Sequence, residues 1–276
     1  LTQLIAAGHI RKMETALVAP VQYTLPLGDE RIDMNALLGK KLTLSYGGAI
    51  NCVKCDRKTK KSFNQGYCYP CFQRLAQCDS CIMSPEKCHY AAGTCREPEW
   101  GEQHCFTDHY VYLANSSGVK VGITRGNQIP TRWMDQGAVQ ALPIFKVSDR
   151  LKSGLVEVIF KSHVADKTNW RKMLKGEVDD LDLLAHRDAL LSATADQVAA
   201  LQGQYGLQSV QPLTDAEQIE ISYPVNEYPL KVTSFNFDKQ GLVEGVLMGI
   251  KGQYLIFDNG VINMRKFGGY HIELSA

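Results

Sequence analysis

Two C-x-x-C pairs, Cys52/Cys55 and Cys68/Cys71, sit in the segment CVKCDRKTKKSFNQGYCYPC with twelve residues between them. Each pair can turn through a tight knuckle that aims two thiolates at one ion, and four thiolates suit tetrahedral zinc. Gly66 stands just before the second pair, where a turn is needed. The spacing predicts a zinc ribbon with one zinc on these four cysteines. Such ribbons mostly hold a small fold together and do no chemistry. The segment is also basic. Lys54, Arg57, Lys58, Lys60 and Lys61 stand against Asp56 alone, and Arg74 follows. That local excess points to contact with phosphate; the plain alternative is a solvated basic loop.

The chain has 276 residues, of which 45% are hydrophobic, enough for a folded core. Its net charge is only +1, so any role with nucleic acid must rest on local patches. All nine cysteines fall between Cys52 and Cys105. A disulfide framework would more often belong to a short chain with its cysteines spread along it. Clustered pairs favour zinc in a reducing cytoplasm, so the expected location is cytoplasmic. The start, LTQLIAAGHIRKME, carries no legible signal peptide, and no apolar run is long enough to span a membrane.

Both ends of the chain read as β. Leu42, Leu44 and Tyr46 alternate with polar residues, as do Val21, Tyr23 and Leu25. Near the C-terminus, QYLIFDNGVINMR sets Asp258-Asn259-Gly260 between two apolar runs, a hairpin signal. These ends predict a β-rich part over 1–51 that is completed by 220–276. Residues 52–108 form the cysteine region. Short strands over 110–114 and 119–123 follow, joined by a turn at Asn115-Ser116-Ser117-Gly118. Pro130 can open a helix and Gly137 can close it. A helical pattern over 150–163 puts Leu151, Leu155, Val158 and Ser162 on one side. Two more helices are expected within 178–204, with Ser192 or Thr194 capping the second. The segment 166–219 is therefore expected to be helical.

A second cysteine cluster follows the ribbon. Cys78 and Cys81 make another C-x-x-C, with Cys88, Cys95 and Cys105 beyond it and His89, His104 and His109 nearby. This surplus points to a second zinc on Cys78 and Cys81, with Cys88 and Cys95 next in line. A lone cysteine such as Cys105 is otherwise a small buried hydrophobe.

The segment HYVYLANSSGVKVGITRGNQIPTRWMDQGA, two short strands and then a helix bearing an arginine, resembles the GIY-YIG nuclease domain over residues 109–165. Tyr110-Val111-Tyr112 stands at the first motif and Lys120-Val121-Gly122 at the second. Arg132 falls at the helical arginine, and Glu157 is placed like the acidic metal ligand. Lys120 departs from the pattern by replacing the tyrosine of the second motif. The resemblance implies a small α/β unit and phosphodiester hydrolysis by Tyr112, Arg132 and Glu157. In that chemistry arginine offsets charge on the phosphate, and glutamate holds magnesium that activates water. The bland readings are a surface ion pair between Glu157 and Lys161 and an arginine that touches phosphate without catalysis. The whole chain also resembles a bacterial family of unknown function.

The sequence thus predicts an α+β fold: a β-rich domain from both termini, a zinc-ribbon insertion, a small GIY-YIG-like α/β unit and a helical segment. Three functions follow. One is a zinc-containing DNA- or RNA-binding protein whose nuclease unit is inactive and whose contacts include Lys54, Arg57, Lys58, Lys60, Lys61 and Lys120. The second is an active divalent-metal-dependent endonuclease. The third is a redox sensor that releases zinc when its thiols are oxidised.

Overall fold

A computed structural model describes residues 3–164 and 167–276. The first part of the chain forms β1 (Leu4–His9), β2 (Glu14–Ala16), β3 (Gln22–Leu27), β4 (Glu30–Asp33) and β5 (Lys41–Ile50). The cysteine region is largely irregular, with α1 (Tyr69–Arg74) and α2 (Pro98–His104). Next come β6 (His109–Asn115), β7 (Val119–Arg125), α3 (Thr131–Asp135), β8 (Gln140–Val147) and α4 (Arg150–Lys161). They are followed by α5 (Trp170–Leu174), α6 (Leu183–Ala193), α7 (Ala195–Tyr205), β9 (Val210–Pro212) and β10 (Ile219–Glu220). The chain ends with β11 (Leu242–Lys251), β12 (Tyr254–Phe257), β13 (Gly260–Asn263) and β14 (Tyr270–Ser275). Helices and antiparallel sheets are thus mixed, an α+β arrangement.

Strands from both ends of the chain share one six-stranded antiparallel sheet, in the order β1-β14-β5-β11-β12-β13. Alternation explains its inner face. Leu42 and Leu44 of β5 and Ile272 and Leu274 of β14 are fully buried and join Tyr23 and Leu25 of the small β2-β3-β4 sheet in one core. The turn at Asp258-Asn259 closes the β12–β13 hairpin, with Phe257 opposite Gly260. It is tied down where Asp258 Oδ1 accepts the Val246 N–H at 2.9 Å and Asn259 Nδ2 donates to the Glu244 carbonyl at 2.8 Å.

The second large sheet runs β10-β8-β6-β7, with β9 also on β8. The segment 166–219 therefore supplies strands to this sheet as well as helices. Alternation along β6 and β7 splits their side chains between two cores. Val111, Leu113 and Val121 pack with Val156 and Phe160 of α4 and with Leu190 and Val198 of α6 and α7. Tyr112 and Ala114 face the other way and join Trp133 in the core of the β-rich part. Both faces of this sheet are covered.

Helix α4 corrects the expected apolar stripe. Its buried residues are Ser153, Gly154, Val156, Glu157 and Phe160, while Val158 is 45% exposed. The reason is a second packing partner. A Cβ at Gly154 would lie 2.5 Å from the Glu86 nitrogen and 2.8 Å from the Pro85 Cβ, so the cysteine region docks directly on the helix backbone. Gly137, at φ +67°, follows α3 as expected. Thr194 precedes α7, but its hydroxyl donates back to the Leu190 carbonyl at 2.7 Å and caps nothing.

Candidate functional site

The first cysteine set converges. One sulfur from each of Cys52, Cys55, Cys68 and Cys71 lies within 4.8 Å of every other. Local chain chemistry explains the convergence. The Asp56 N–H returns to the Cys52 carbonyl at 2.9 Å, with Asp56 at φ +59° closing the first knuckle. Gly66 precedes the second at φ +141°, with the side chain of Val53 pressed against it. Cys68 then heads α1, with Pro70 in its first turn.

The geometry fits zinc. Cys55 Sγ and Cys68 Sγ are 3.7 Å apart. A tetrahedron with bonds of about 2.3 Å to sulfur has an edge of roughly 3.8 Å, whereas a disulfide would bring the sulfurs to about 2.0 Å. Burial would raise the Cys52 thiol, but N–H groups around Cys68, Cys55 and Lys54 outweigh it and bring it down to about 6. Those backbone donors stabilise a thiolate. Cys52, Cys68 and Cys71 are buried and Cys55 is exposed. Bound there, zinc would tie the two knuckles together.

The second C-x-x-C does not act as a pair. Two separate 3-10 turns, Ala76–Cys78 and Ser80–Ile82, flank the extended Asp79 and send its cysteines apart. Cys78 packs beside Cys52, Cys68, Cys71 and Leu75. Cys81 instead joins Asp79 and His89, whose ligand atoms lie within 4.8 Å of one another and could hold a metal. Cys88 and Cys95 are outside that trio. Burial, then Asp79, Cys88, Cys105 and Cys95, push the Cys81 thiol up to about 11. Asp79 already accepts from Arg96 Nε at 2.8 Å and faces His89 Nε2 at 3.3 Å. Burial would raise its carboxyl, yet Arg96 leads the groups that hold it low. The candidate ligand that the sequence reading missed is an aspartate between two cysteines, a position that cysteine spacing does not mark.

Tyr112, Arg132 and Glu157 come together around β6. The Tyr112 hydroxyl donates to Gln136 Oε1 at 2.9 Å. Burial raises its pKa; the Arg132 charge and hydrogen bonding with Arg132 and Gln136 oppose that, and the Glu157 charge adds to the rise. Tyr112 is 0% exposed. Glu157 is buried and pairs with Lys161 at 3.6 Å. Lys120 is also buried, at 6% exposure, and lies on β7 opposite Ala114. It does not join the exposed basic loop of Lys54, Arg57, Lys58, Lys60 and Lys61.

Arg132 acts electrostatically on Arg150 and Arg265, and Arg125 acts on Arg150. Arg125 ends β7, Arg150 opens α4, and Arg265 lies in the 3-10 turn before β14. Burial lowers the Arg150 guanidinium; nearby thiols oppose this, while Arg125 and Arg132 add to it. Burial and then Arg132 lower Arg265, while Asp135 and then Tyr67 oppose this. Among the described residues no carboxylate forms an ion pair with any of the four. Arg150 donates one N–H to the Ile82 carbonyl, but its buried Nε has no partner. A cavity of about 470 Å³ opens beside Arg125, between α2 and the end of β7. Sequence reading found Arg132 alone, because the other three come from separate elements.

No curated protein and no solved structure matches the chain. A family model does match, over residues 39–272, and it covers the cysteine region, the whole second sheet and most of the C-terminal strands. The chain belongs to the family described as Protein of unknown function (DUF2797).

Proposed function

We propose that the chain is a zinc-holding, nucleic-acid-binding protein in which a GIY-YIG-like unit grips a phosphate backbone without cutting it. The observation that carries this reading is the set of Arg125, Arg132, Arg150 and Arg265, half-buried, acting on one another electrostatically, and forming no ion pair with a carboxylate among the described residues. Like charges held close together are costly unless an anion sits among them. A run of phosphates supplies that anion, and guanidinium forks match phosphate geometry. The exposed lysines of the ribbon extend the basic surface.

The burial of Tyr112 favours binding over hydrolysis. Its hydroxyl is shut in the core and already bonded to Gln136, where it cannot steer an attacking water. Lys120 replaces the other tyrosine of the family pattern. Magnesium would matter only if Glu157 released Lys161, so the endonuclease reading is second.

Fluorescence anisotropy with a labelled RNA hairpin and a labelled DNA duplex tests the proposal. Affinity should fall steeply with salt as counterions are released. A double variant, Arg125→Ala with Arg132→Ala, should flatten the salt slope by roughly one to two. An unchanged slope would count against the arginine site.

A further inference from the structure

A separate cavity of about 470 Å³ opens where the loop after α5 meets β8, β10 and the end of β11. That volume lies within the range of about 300–1,000 Å³ usual for small-molecule sites. Lys251, the last residue of β11, lines it and is 1% exposed. Its Nζ donates to the Met173 carbonyl at 3.2 Å. The same nitrogen lies 5.5 Å from the ring centre of Tyr223 and 5.2 Å from that of Tyr228. No carboxylate pairs with it among the described residues.

A buried ammonium without a counterion is costly, and the group sheds its proton instead. Burial brings Lys251 down to about 8. A useful fraction of the side chain is then a free amine near neutral pH, the state in which lysine attacks carbonyl carbon. Tyr223 and Tyr228 partly favour the ammonium through their ring faces, but burial outweighs them.

The mouth of the cavity has the opposite character. Asp179, Asp180 and Glu220 line it and are exposed. Gln140 Nε2 donates to Asp180 Oδ1 at 2.5 Å and to Glu220 Oε1 at 3.3 Å, which holds these two carboxylates on one side. Among the described residues no lysine or arginine pairs with the three. Such a rim repels phosphate, so the nucleic-acid reading does not use this cavity.

We propose that this cavity takes a small carbonyl compound bearing a positive charge, and that the Lys251 amine condenses with its carbonyl group. The Nζ lone pair adds to the carbonyl carbon to give a carbinolamine. Both amine hydrogens then leave with the former carbonyl oxygen as water, and a carbon–nitrogen double bond remains. No oxidant or reductant takes part. The carboxylate rim attracts the cationic end, and Lys251 meets the carbonyl at the floor.

The test is reductive trapping on the full, zinc-loaded chain at neutral pH, with sodium cyanoborohydride and peptide mapping by mass spectrometry. Two probes differ in charge: betaine aldehyde is cationic and glyoxylate is anionic. Lys251 should carry the main betaine-aldehyde adduct, formed roughly tenfold faster than adducts on exposed lysines, whose pKa lies near 10.4. Glyoxylate should label it more slowly. Asp179→Asn with Asp180→Asn, both on the surface, should remove the preference between probes. Labelling of Lys251 no faster than of surface lysines, or a preference for glyoxylate, would overturn the proposal. The main readout is taken on the unaltered chain, so it does not depend on any variant folding.

Discussion

Tyr112 lies across Gly122 on the neighbouring strand: a Cβ built on Gly122 would sit 2.6 Å from both the Cζ and the hydroxyl oxygen of Tyr112. The two residues face each other in the β6–β7 register. The glycine of the Lys120-Val121-Gly122 motif is therefore a packing requirement. It leaves room for a ring whose hydroxyl then reaches Gln136.

Gly122→Ala is expected to cost about 1–3 kcal/mol of stability, the usual range for overpacking. Combining it with Tyr112→Leu should recover part of that loss, because the two residues share one space. Urea denaturation of the two single variants and the double variant measures the coupling. Strict additivity would show that the contact is not what limits the site.

Acid should destabilise the fold through His109. Its Nδ1 lies 2.7 Å from the Thr107 carbonyl, which can only accept, so Nδ1 carries the proton of the neutral ring. Burial lowers its pKa to about 4. The unfolded chain binds the extra proton from about pH 6.5 downward, while the folded chain binds it only near 4. Stability is therefore full above 6.5 and is lost as pH falls through that window, by up to about 3 kcal/mol. Urea midpoints between pH 7 and 4.5 should fall more for the wild type than for His109→Gln. Parallel curves would remove His109 as the cause.

The convergence of the first four cysteines was legible because its signal is local. Two short spacings and one glycine specify a knuckle pair, and Cys52, Cys55, Cys68 and Cys71 converge as the spacing predicts. The Asp258-Asn259 hairpin was legible for the same reason. What stayed hidden depends on contacts distant in sequence. The buried face of α4 was misread because Gly154 meets Pro85 and Glu86, some seventy residues earlier in the chain. Cys78 looked like the partner of Cys81, yet the extended Asp79 turns them to different neighbours. The spacing of Lys251 from Tyr228 gives no hint of the cavity that both line.

Separating ligand from packing residue is direct in the cysteine region. Cys68→Ser should lose the ribbon zinc, because it removes one of four convergent thiols. Cys78→Ser should keep it, at a cost of about 1–2 kcal/mol for a hydroxyl in an apolar cluster. Metal analysis of the two purified variants decides. Loss of the ribbon zinc from Cys78→Ser would make Cys78 a ligand after all.

The exposed ribbon lysines should contribute to affinity without sequence preference. Reversing Lys54, Lys58 and Lys60 to glutamate should weaken binding to unrelated RNA and DNA probes by similar factors, since phosphate contacts carry no sequence information. Circular dichroism should be unchanged, because all three side chains are exposed. A loss confined to one probe would point to base contacts instead.

The most direct measurement sets binding against cutting in one sample. Wild type and Glu157→Gln are incubated with labelled RNA hairpin and DNA duplex at about 50 mM salt, where phosphate contacts are strong, with and without magnesium. Binding is read by anisotropy and cleavage on a denaturing gel. We expect both proteins to bind with similar, salt-sensitive affinity and neither to cleave. Magnesium-dependent cleavage by the wild type that Glu157→Gln abolishes, or no binding by the wild type at that salt, would contradict the account.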